Sequence, residues 1–121
     1  MFTPKQIDRV TLHALSALLW TGTGDEGEPL DSLYEVENFA PSAVAWLTAE
    51  IAEFMAGNAA DINWMELSQL GHDYILTRNG EGVGFWDRGL GARGDRLTVA
   101  SQLHHAIRAT VGDDGSLYVE G

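Results

Sequence analysis

The chain has 121 residues, of which 45% are hydrophobic, and its 18 acidic residues against seven Lys and Arg residues give a formal net charge of −11. This length and composition predict a single globular domain spanning residues 1–121 and exclude a disordered chain. The lack of cysteine excludes disulfides and thiolate chemistry, and the acidic balance disfavours binding to nucleic acid or anionic membranes while favouring a basic partner, although solubility alone also explains it.

The first helix is predicted to begin after Thr3, because Pro4 and Gln6 complete a capping-box pattern. Apolar residues then recur at helical spacing as far as Leu18, and Gly22 can end the helix. No apolar run reaches the length of a membrane span, and no secretory signal is recognisable. We therefore expect a cytoplasmic protein.

An acidic loop is predicted next. Residues 21–29, TGTGDEGEP, are a loop by composition, and residues 30–39 are ambiguous between a helical turn and an extended segment. The loop carboxylates follow no metal-ligand spacing, so we expect them to be solvated. The first half of the chain supplies the carboxylates of a candidate partner-binding acidic surface: Asp25, Glu26, Glu28, Glu35, Glu37, Glu50 and Glu53.

Two further helices are predicted before the middle of the chain ends. The first covers residues 41–56 with an apolar stripe, and a shorter one covers residues 60–70 and ends at Gly71. Glu50 and Glu53 lie off the stripe, one turn apart. We interpret them as a solvated acidic face rather than as a catalytic carboxylate pair.

A β-hairpin is predicted at Asn79-Gly80. Residues 72–78 have the aromatic and β-branched content of a strand, and Asn-Gly is a strong signal for a type I′ turn, in which both central residues need positive φ. Counting outward from the turn pairs residues 72–78 with 81–87, so that Tyr74 faces Phe85.

The last elements are a helix over residues 97–110, a turn at GDDG (112–115) and a strand at SLYVE (116–120). The predicted fold class is therefore α+β, with helices packed on a small antiparallel sheet that is built around the β-hairpin at Asn79-Gly80.

Four of the seven basic residues lie within the glycine-rich stretch 78–96. Residues 87–96, DRGLGARGDR, are called the Gly/Arg loop below; glycines let backbone N–H groups converge on an anion, and guanidinium groups suit phosphate or carboxylate. The loop matches no established phosphate-binding motif, so we favour a structural loop with internal ion pairs over an anion site. A small ligand bound here would contact Arg78, Trp86, Arg88, Arg93 and Arg96.

The histidines and hydroxyls offer little catalytic chemistry. His72 is predicted to face Asp87 across the hairpin as a structural pair, while His104 and His105 point about 100° apart on a helix and cannot readily share a metal ion. No Ser or Thr lies in a nucleophile-elbow pattern. We therefore expect no catalytic residues, no metal and no cofactor; an enzyme would need an exposed cleft joining His72, Asp73 or Asp87 to the Gly/Arg loop.

The segment GHDYILTRNGEGVGFWDRGLG (71–91) resembles a group of small uncharacterised proteins of tailed bacteriophages and prophages. Residues 30–47, LDSLYEVENFAPSAVAWL, are similar to the preceding region of that group, so the resemblance covers roughly half of the chain. Ile75 and Glu81 depart from the pattern, where an aromatic residue and a His are expected. The resemblance implies a phage accessory protein, a class that often binds a host factor or defence protein.

Two functions follow as hypotheses. The first is a non-enzymatic phage-type accessory protein that binds, and inhibits, a host nucleic-acid-handling or defence protein through the acidic surface, with exposed carboxylates setting the salt dependence. The alternative is a small-ligand protein that holds a nucleotide or another anion at the Gly/Arg loop.

Overall fold

The computed structural model describes residues 2–24, 26–81, 84–85 and 89–121. Helices and one two-stranded antiparallel sheet build this part of the chain, which confirms the α+β class. The α-helices are α1 (Pro4–Thr21), α2 (Pro41–Gly57), α3 (Ala59–Ile62), α4 (Leu67–Asn79) and α5 (Ala92–Gln102), and the strands are β1 (Arg108–Val111) and β2 (Leu117–Glu120). Two short 3₁₀ turns, Leu30–Ser32 and Val36–Asn38, lie between α1 and α2.

Helix α1 begins as predicted. The Thr3 hydroxyl accepts a hydrogen bond from the Gln6 backbone N–H at 3.2 Å, and the Gln6 side chain accepts one from the Thr3 N–H at 2.8 Å. These two bonds satisfy backbone donors that have no partner inside the helix. The inner face of α1, which includes Ala14 and Leu18, is buried in the core.

Gly71 lies at the crossing of α1 and α4. A Cβ placed on it would lie 2.6 Å from the carbonyl oxygen of Val10 and 2.8 Å from the Cβ of His13. The predicted helix over 60–70 is wrong in its bounds, because α3 ends at Ile62 and α4 begins at Leu67 and continues through Gly71. Gly71 serves close packing between helices rather than ending one.

The predicted hairpin at Asn79-Gly80 is wrong. Asn79 is the last residue of α4, and Gly80 adopts φ +66° and ψ 41°, the left-handed conformation typical of a helix end. The N–H groups of Gly80 and Glu81 then bond back to the carbonyls of Thr77 and Leu76, respectively, at 3.2 and 3.0 Å. Asn-Gly supplies positive φ equally well to a turn and to a helix end, so the local signal could not distinguish them.

The predicted strand over 72–78 is helical because α4 is buried on most of its circumference. Residues 70–71 and 73–78 are all buried, so neither a strand nor a helix periodicity is visible in the sequence. The cross-strand pair Tyr74–Phe85 is replaced by packing of both rings on Phe54, with centroids 4.7 and 6.2 Å from the Phe54 ring.

The sheet forms instead at the C-terminal end of the chain. β1 and β2 pair in antiparallel register from Arg108↔Glu120 to Val111↔Leu117. The GDDG turn and the final strand are confirmed, and Gly115 in the turn has φ +81°. The predicted helix over 97–110 is wrong at both ends, because α5 covers 92–102 and residues 108–111 are a strand that pairs with a partner beyond the turn.

The core is built chiefly from α1, α2 and α4. Phe85, Leu97, Ile107 and Leu117 extend it to α5 and the sheet. Within the described ranges, none of the helices has both the length and the apolar character that crossing a bilayer requires.

Candidate interaction surface and the arginine contacts

Arg78 is part of the core rather than of an open ligand site. Its side chain is 1% exposed. Nη1 donates to Glu50 Oε1 at 3.0 Å and to the Tyr74 hydroxyl at 2.9 Å, and Nε donates to the carbonyl of His105 at 2.8 Å. Burial raises the pKa of the Tyr74 hydroxyl, which therefore stays neutral beside the guanidinium.

The remaining guanidinium nitrogen of Arg78, Nη2, finds no hydrogen-bond acceptor in the described part of the chain. The indole ring of Trp46 lies with its centroid 5.7 Å from Arg78 Cζ and offers its electron-rich face in place of an acceptor. Glu50 forms a salt bridge with Arg78, and its side chain is 22% exposed. It therefore contributes an internal ion pair and not a free carboxylate to the predicted acidic surface.

Arg96 is also held by a carboxylate. Its Nε and Nη2 donate to the two oxygens of Asp61 in α3 at 2.8 and 2.6 Å. These hydrogen bonds lower the pKa of Asp61 and raise that of Arg96. An internal ion pair was the structural interpretation of this segment, but the partner lies 35 residues earlier in the chain and not among the neighbouring acids.

Arg93 lies over an aromatic ring, with its Cζ 5.7 Å from the centroid of Trp64. Trp86 and Arg88 lie outside the described residues. The arginines of the candidate anion site that the structure describes thus have separate partners: Glu50 for Arg78, Trp64 for Arg93 and Asp61 for Arg96.

The second half of the Gly/Arg loop is helical. Gly89 and Gly91 have positive φ, +70° and +62°, and α5 begins directly after Gly91. Gly94 is buried inside α5, where a Cβ would lie 2.8 Å from the carbonyl oxygen of Phe85. Two of these glycines therefore shape the chain before the helix, and the third permits close packing.

The connection between α1 and α2, residues 22–40, is called the acidic connection below. Backbone hydrogen bonds close its first part, from Gly24 N–H to the Glu28 carbonyl at 2.8 Å and from Leu30 N–H to the Gly22 carbonyl at 3.1 Å. The later part packs its two 3₁₀ turns on α1. Glu26, Glu28, Glu35 and Glu37 thus lie on a connection whose described parts are held by backbone hydrogen bonds and by packing on α1.

Of the carboxylates predicted for the acidic surface, Glu26, Glu35, Glu37 and Glu53 are exposed and Glu28 is half-buried, while Asp25 lies outside the described residues. Among the described residues no salt bridge involves these five glutamates. The Glu35 side chain accepts a hydrogen bond from the backbone N–H of Asn38. Within the described ranges, therefore, no salt bridge neutralises their negative charge.

Cations are scarce in this part of the sequence itself. Between Arg9 and Arg78 the chain has eleven Asp and Glu residues and not one Lys or Arg. Large apolar side chains are exposed in the same stretch, including Trp20 at 61% and Leu33 at 57%. A count of the charged residues between consecutive basic residues reveals this acidic stretch from the sequence alone.

A polar cavity of about 580 Å³ borders the acidic connection. Glu26, Glu28 and Tyr34 line it from one side, and Arg108 with the rest of β1 lines it from the other. Arg108 also lies 3.9 Å from Glu120, so its charge is shared between the cavity and β2.

His13 and His72 lie together at the α1–α4 crossing, with ring centroids 6.2 Å apart. Burial, Arg9 and His72, in that order, lower the pKa of His13. Asp87, the predicted partner of His72, lies outside the described residues. Within those residues no three His, Asp or Glu side chains come together in an arrangement that could hold a metal ion.

No protein-family model, curated protein or solved structure matches this chain. A function must therefore be inferred from the chain's own residues, and the exposed carboxylates of the acidic connection are the feature with the clearest chemical meaning.

Proposed function

We propose that the protein is a non-enzymatic binding protein whose acidic connection engages a basic surface of a protein partner. The observation that carries the proposal is the set of carboxylates Glu26, Glu28, Glu35 and Glu37, which lie on this connection without a salt bridge among the described residues. Carboxylates that no described salt bridge neutralises attract a basic surface, and pairing with its cations lowers their electrostatic free energy.

Exposed apolar side chains would supply contact energy beside the charges. Trp20, one residue before the end of α1, and Leu33, within the acidic connection, are both more than half exposed. Large apolar residues surrounded by charged ones are typical of the centre of protein interfaces. The carboxylates would set the association rate and its salt dependence, and the apolar side chains would hold the complex together.

The resemblance of residues 71–91 and 30–47 to small phage proteins supports a bacterial partner. A nucleic-acid-handling or defence protein of the host has the required basic surface, because such proteins neutralise phosphates with Lys and Arg. Carboxylates covering that surface would exclude the nucleic acid, so binding would inhibit the partner. This proposal places the protein in the bacterial cytoplasm.

The decisive experiment compares two variants with the same change in charge. The test variant combines E26Q, E28Q, E35Q and E37Q, and the control combines D8N, E81Q, D95N and D113N, four exposed acids elsewhere. Each protein is immobilised, incubated with bacterial lysate at low salt and eluted with rising salt. We expect a basic protein to be retained by the native protein and the control and lost by the test variant.

Two results would contradict the proposal. One is that the native protein and the test variant retain the same lysate proteins. The other is that both quadruple variants lose the same proteins, because net charge alone then decides binding. A retained basic protein should next be assayed for nucleic-acid binding with and without this protein, and undiminished binding would contradict inhibition.

Anion binding at the Gly/Arg loop has less support. An anion would have to displace Glu50 from Arg78 or Asp61 from Arg96. The free energy gained from the new contact with the arginine would then be offset by the free energy lost when the existing ion pair breaks. Arg93 is the described arginine of the loop with no carboxylate hydrogen-bonded to it.

A further inference from the structure

A second cavity, of about 320 Å³, lies where the α3–α4 connection meets α4. It is lined by Trp64, Met65, Glu66, Gln69, Asp73 and Leu90. Trp64 is 48% exposed, and its Nε1–H donates to the Asp61 carbonyl at 2.9 Å, which holds the indole in place. The cavity therefore has one wall made by a positioned aromatic ring.

The chemistry of this cavity suits a cation. The exposed carboxylate of Glu66 lines it, and so does the buried Asp73, which accepts a hydrogen bond from Gln69 Nε2 at 2.9 Å. None of its described lining residues is Lys or Arg, although Arg93 lies against the Trp64 ring. A Trp ring attracts a cation placed over its face, and a neighbouring carboxylate adds a Coulomb attraction.

The protein's own Arg93 indicates which cation. Its guanidinium carbon lies 5.7 Å from the Trp64 ring centroid, so this ring already attracts a guanidinium group. A guanidinium is planar and weakly hydrated, and it stacks on an indole more readily than an ammonium does. Met65 and Leu90 would cover the methylene stem that carries such a group.

We infer that this cavity binds the side chain of an arginine presented by a polypeptide, with the guanidinium against the Trp64 ring and its charge balanced by Glu66. The inference rests on the proposed function only in that the arginine would belong to the basic partner. It adds a defined anchor point for that partner, at a place distinct from the acidic connection.

The test is an NMR titration of the intact protein with N-acetylarginine amide, followed at the indole N–H signals. N-acetylcitrulline amide, which has the same shape without the charge, is the control ligand, and the indoles of exposed Trp20 and Trp46 are internal controls. We expect arginine amide to shift the Trp64 signal and leave the other two in place. Equal shifts from the citrulline compound, or equal shifts of all three indoles, would overturn the inference.

Three variants sharpen the result. Glu66→Gln should weaken arginine-amide binding about threefold, as expected for loss of one exposed charge contact, and Arg93→Ala should strengthen it by removing a neighbouring cation. Asp113→Asn, an exposed change in the turn between β1 and β2, should leave it unchanged. Unaltered affinity in the first two variants, or tighter binding of free arginine than of the blocked amide, would contradict a polypeptide arginine at this site.

The titration needs no partner, so the two proposals fail separately. If arginine amide does not shift the Trp64 signal, the arginine site is refuted, and the lysate comparison of the acidic connection is unaffected. A failed lysate comparison beside a clear Trp64 shift removes the acidic connection as the docking surface and leaves the cavity as a binding site for arginine.

Discussion

Nη1 of Arg78 in α4 lies 3.0 Å from Oε1 of Glu50 in α2, and the Nε of the same arginine donates to the carbonyl of His105 in the segment between α5 and β1. One side chain therefore joins two helices to the segment that leads into the sheet. A buried guanidinium is tolerated because most of its donors have acceptors, one of them a carboxylate. This arginine acts as a structural tie and not as a ligand contact.

Replacing Arg78 by Lys should lower the free energy of unfolding by about 1–3 kcal/mol, because buried acceptors that the guanidinium satisfies lose their donor. A lysine cannot reach Glu50, Tyr74 and the His105 carbonyl together, because it lacks the planar fork of donors. Urea unfolding monitored by circular dichroism measures the effect. Glu50→Gln should also destabilise the protein, because it leaves the buried guanidinium of Arg78 without its counter-charge. A lysine variant as stable as the native protein would refute the tie.

Asn79 provides a second tie to the sheet. Its Oδ1 accepts from the Ile107 N–H at 2.8 Å, and its Nδ2 donates to the Ile107 carbonyl at 2.7 Å. Asn79→Ala should lower the free energy of unfolding by about 1–3 kcal/mol, because two buried backbone groups lose their partner. Asn63→Ala, an exposed change, is the matched control and should stay within about 0.5 kcal/mol of the native protein. Equal effects of the two changes would contradict this role.

Gly71→Ala should destabilise the protein although alanine is the better helix former. Within a helix Ala is favoured over Gly by about 1 kcal/mol, but here the added Cβ would lie 2.6 Å from the Val10 carbonyl oxygen and force α1 and α4 apart. We expect a net loss of about 1–3 kcal/mol, the usual cost of overpacking. Gly57→Ala, at the end of α2 with no atom within 4 Å of the new Cβ, should be neutral or stabilising. A thermal melt of both variants decides the matter, and a stabilised Gly71→Ala protein would show that the helices do not meet there.

Stability should fall in mild acid because of His13. Its pKa is held below the usual value of 6.5, so the unfolded chain takes up this proton before the folded protein does. Free energy of unfolding is therefore lost as pH falls below about 6.5, and the contribution is unaffected at higher pH. Urea unfolding between about pH 8 and about pH 6, above the range where carboxylates titrate, measures this loss.

The matching variant is His13→Gln, which should show a smaller loss of stability over this pH interval than the native protein. His104→Gln, an exposed change, should keep the full loss. Identical pH profiles for the native protein and His13→Gln would assign the acid sensitivity elsewhere.

The candidate sites, like the fold, are predictable from the sequence only where neighbouring residues decide the outcome. The carboxylates of the acidic connection were correctly identified as accessible groups wherever the structure describes them, because long acidic segments without cations remain at the surface. Glu50 was the exception, because its partner Arg78 lies 28 residues further along the chain. The groups that the arginines contact, and the cavity at Trp64, depend on which helices pack together. No local sequence pattern carries that information.

The sequence by itself determined α1, α2, the GDDG turn and the last strand, since a capping box, an apolar stripe and a glycine-rich turn act within a few residues of one another. The tertiary structure alone decided that residues 67–79 are a helix and that the chain after Gly91 is helical before it is extended. Asn79-Gly80 satisfies a turn and a helix end equally, so the choice was made by burial of α4 among α1, α2 and α5. Burial free energy summed over such a helix exceeds the small local preference for a strand.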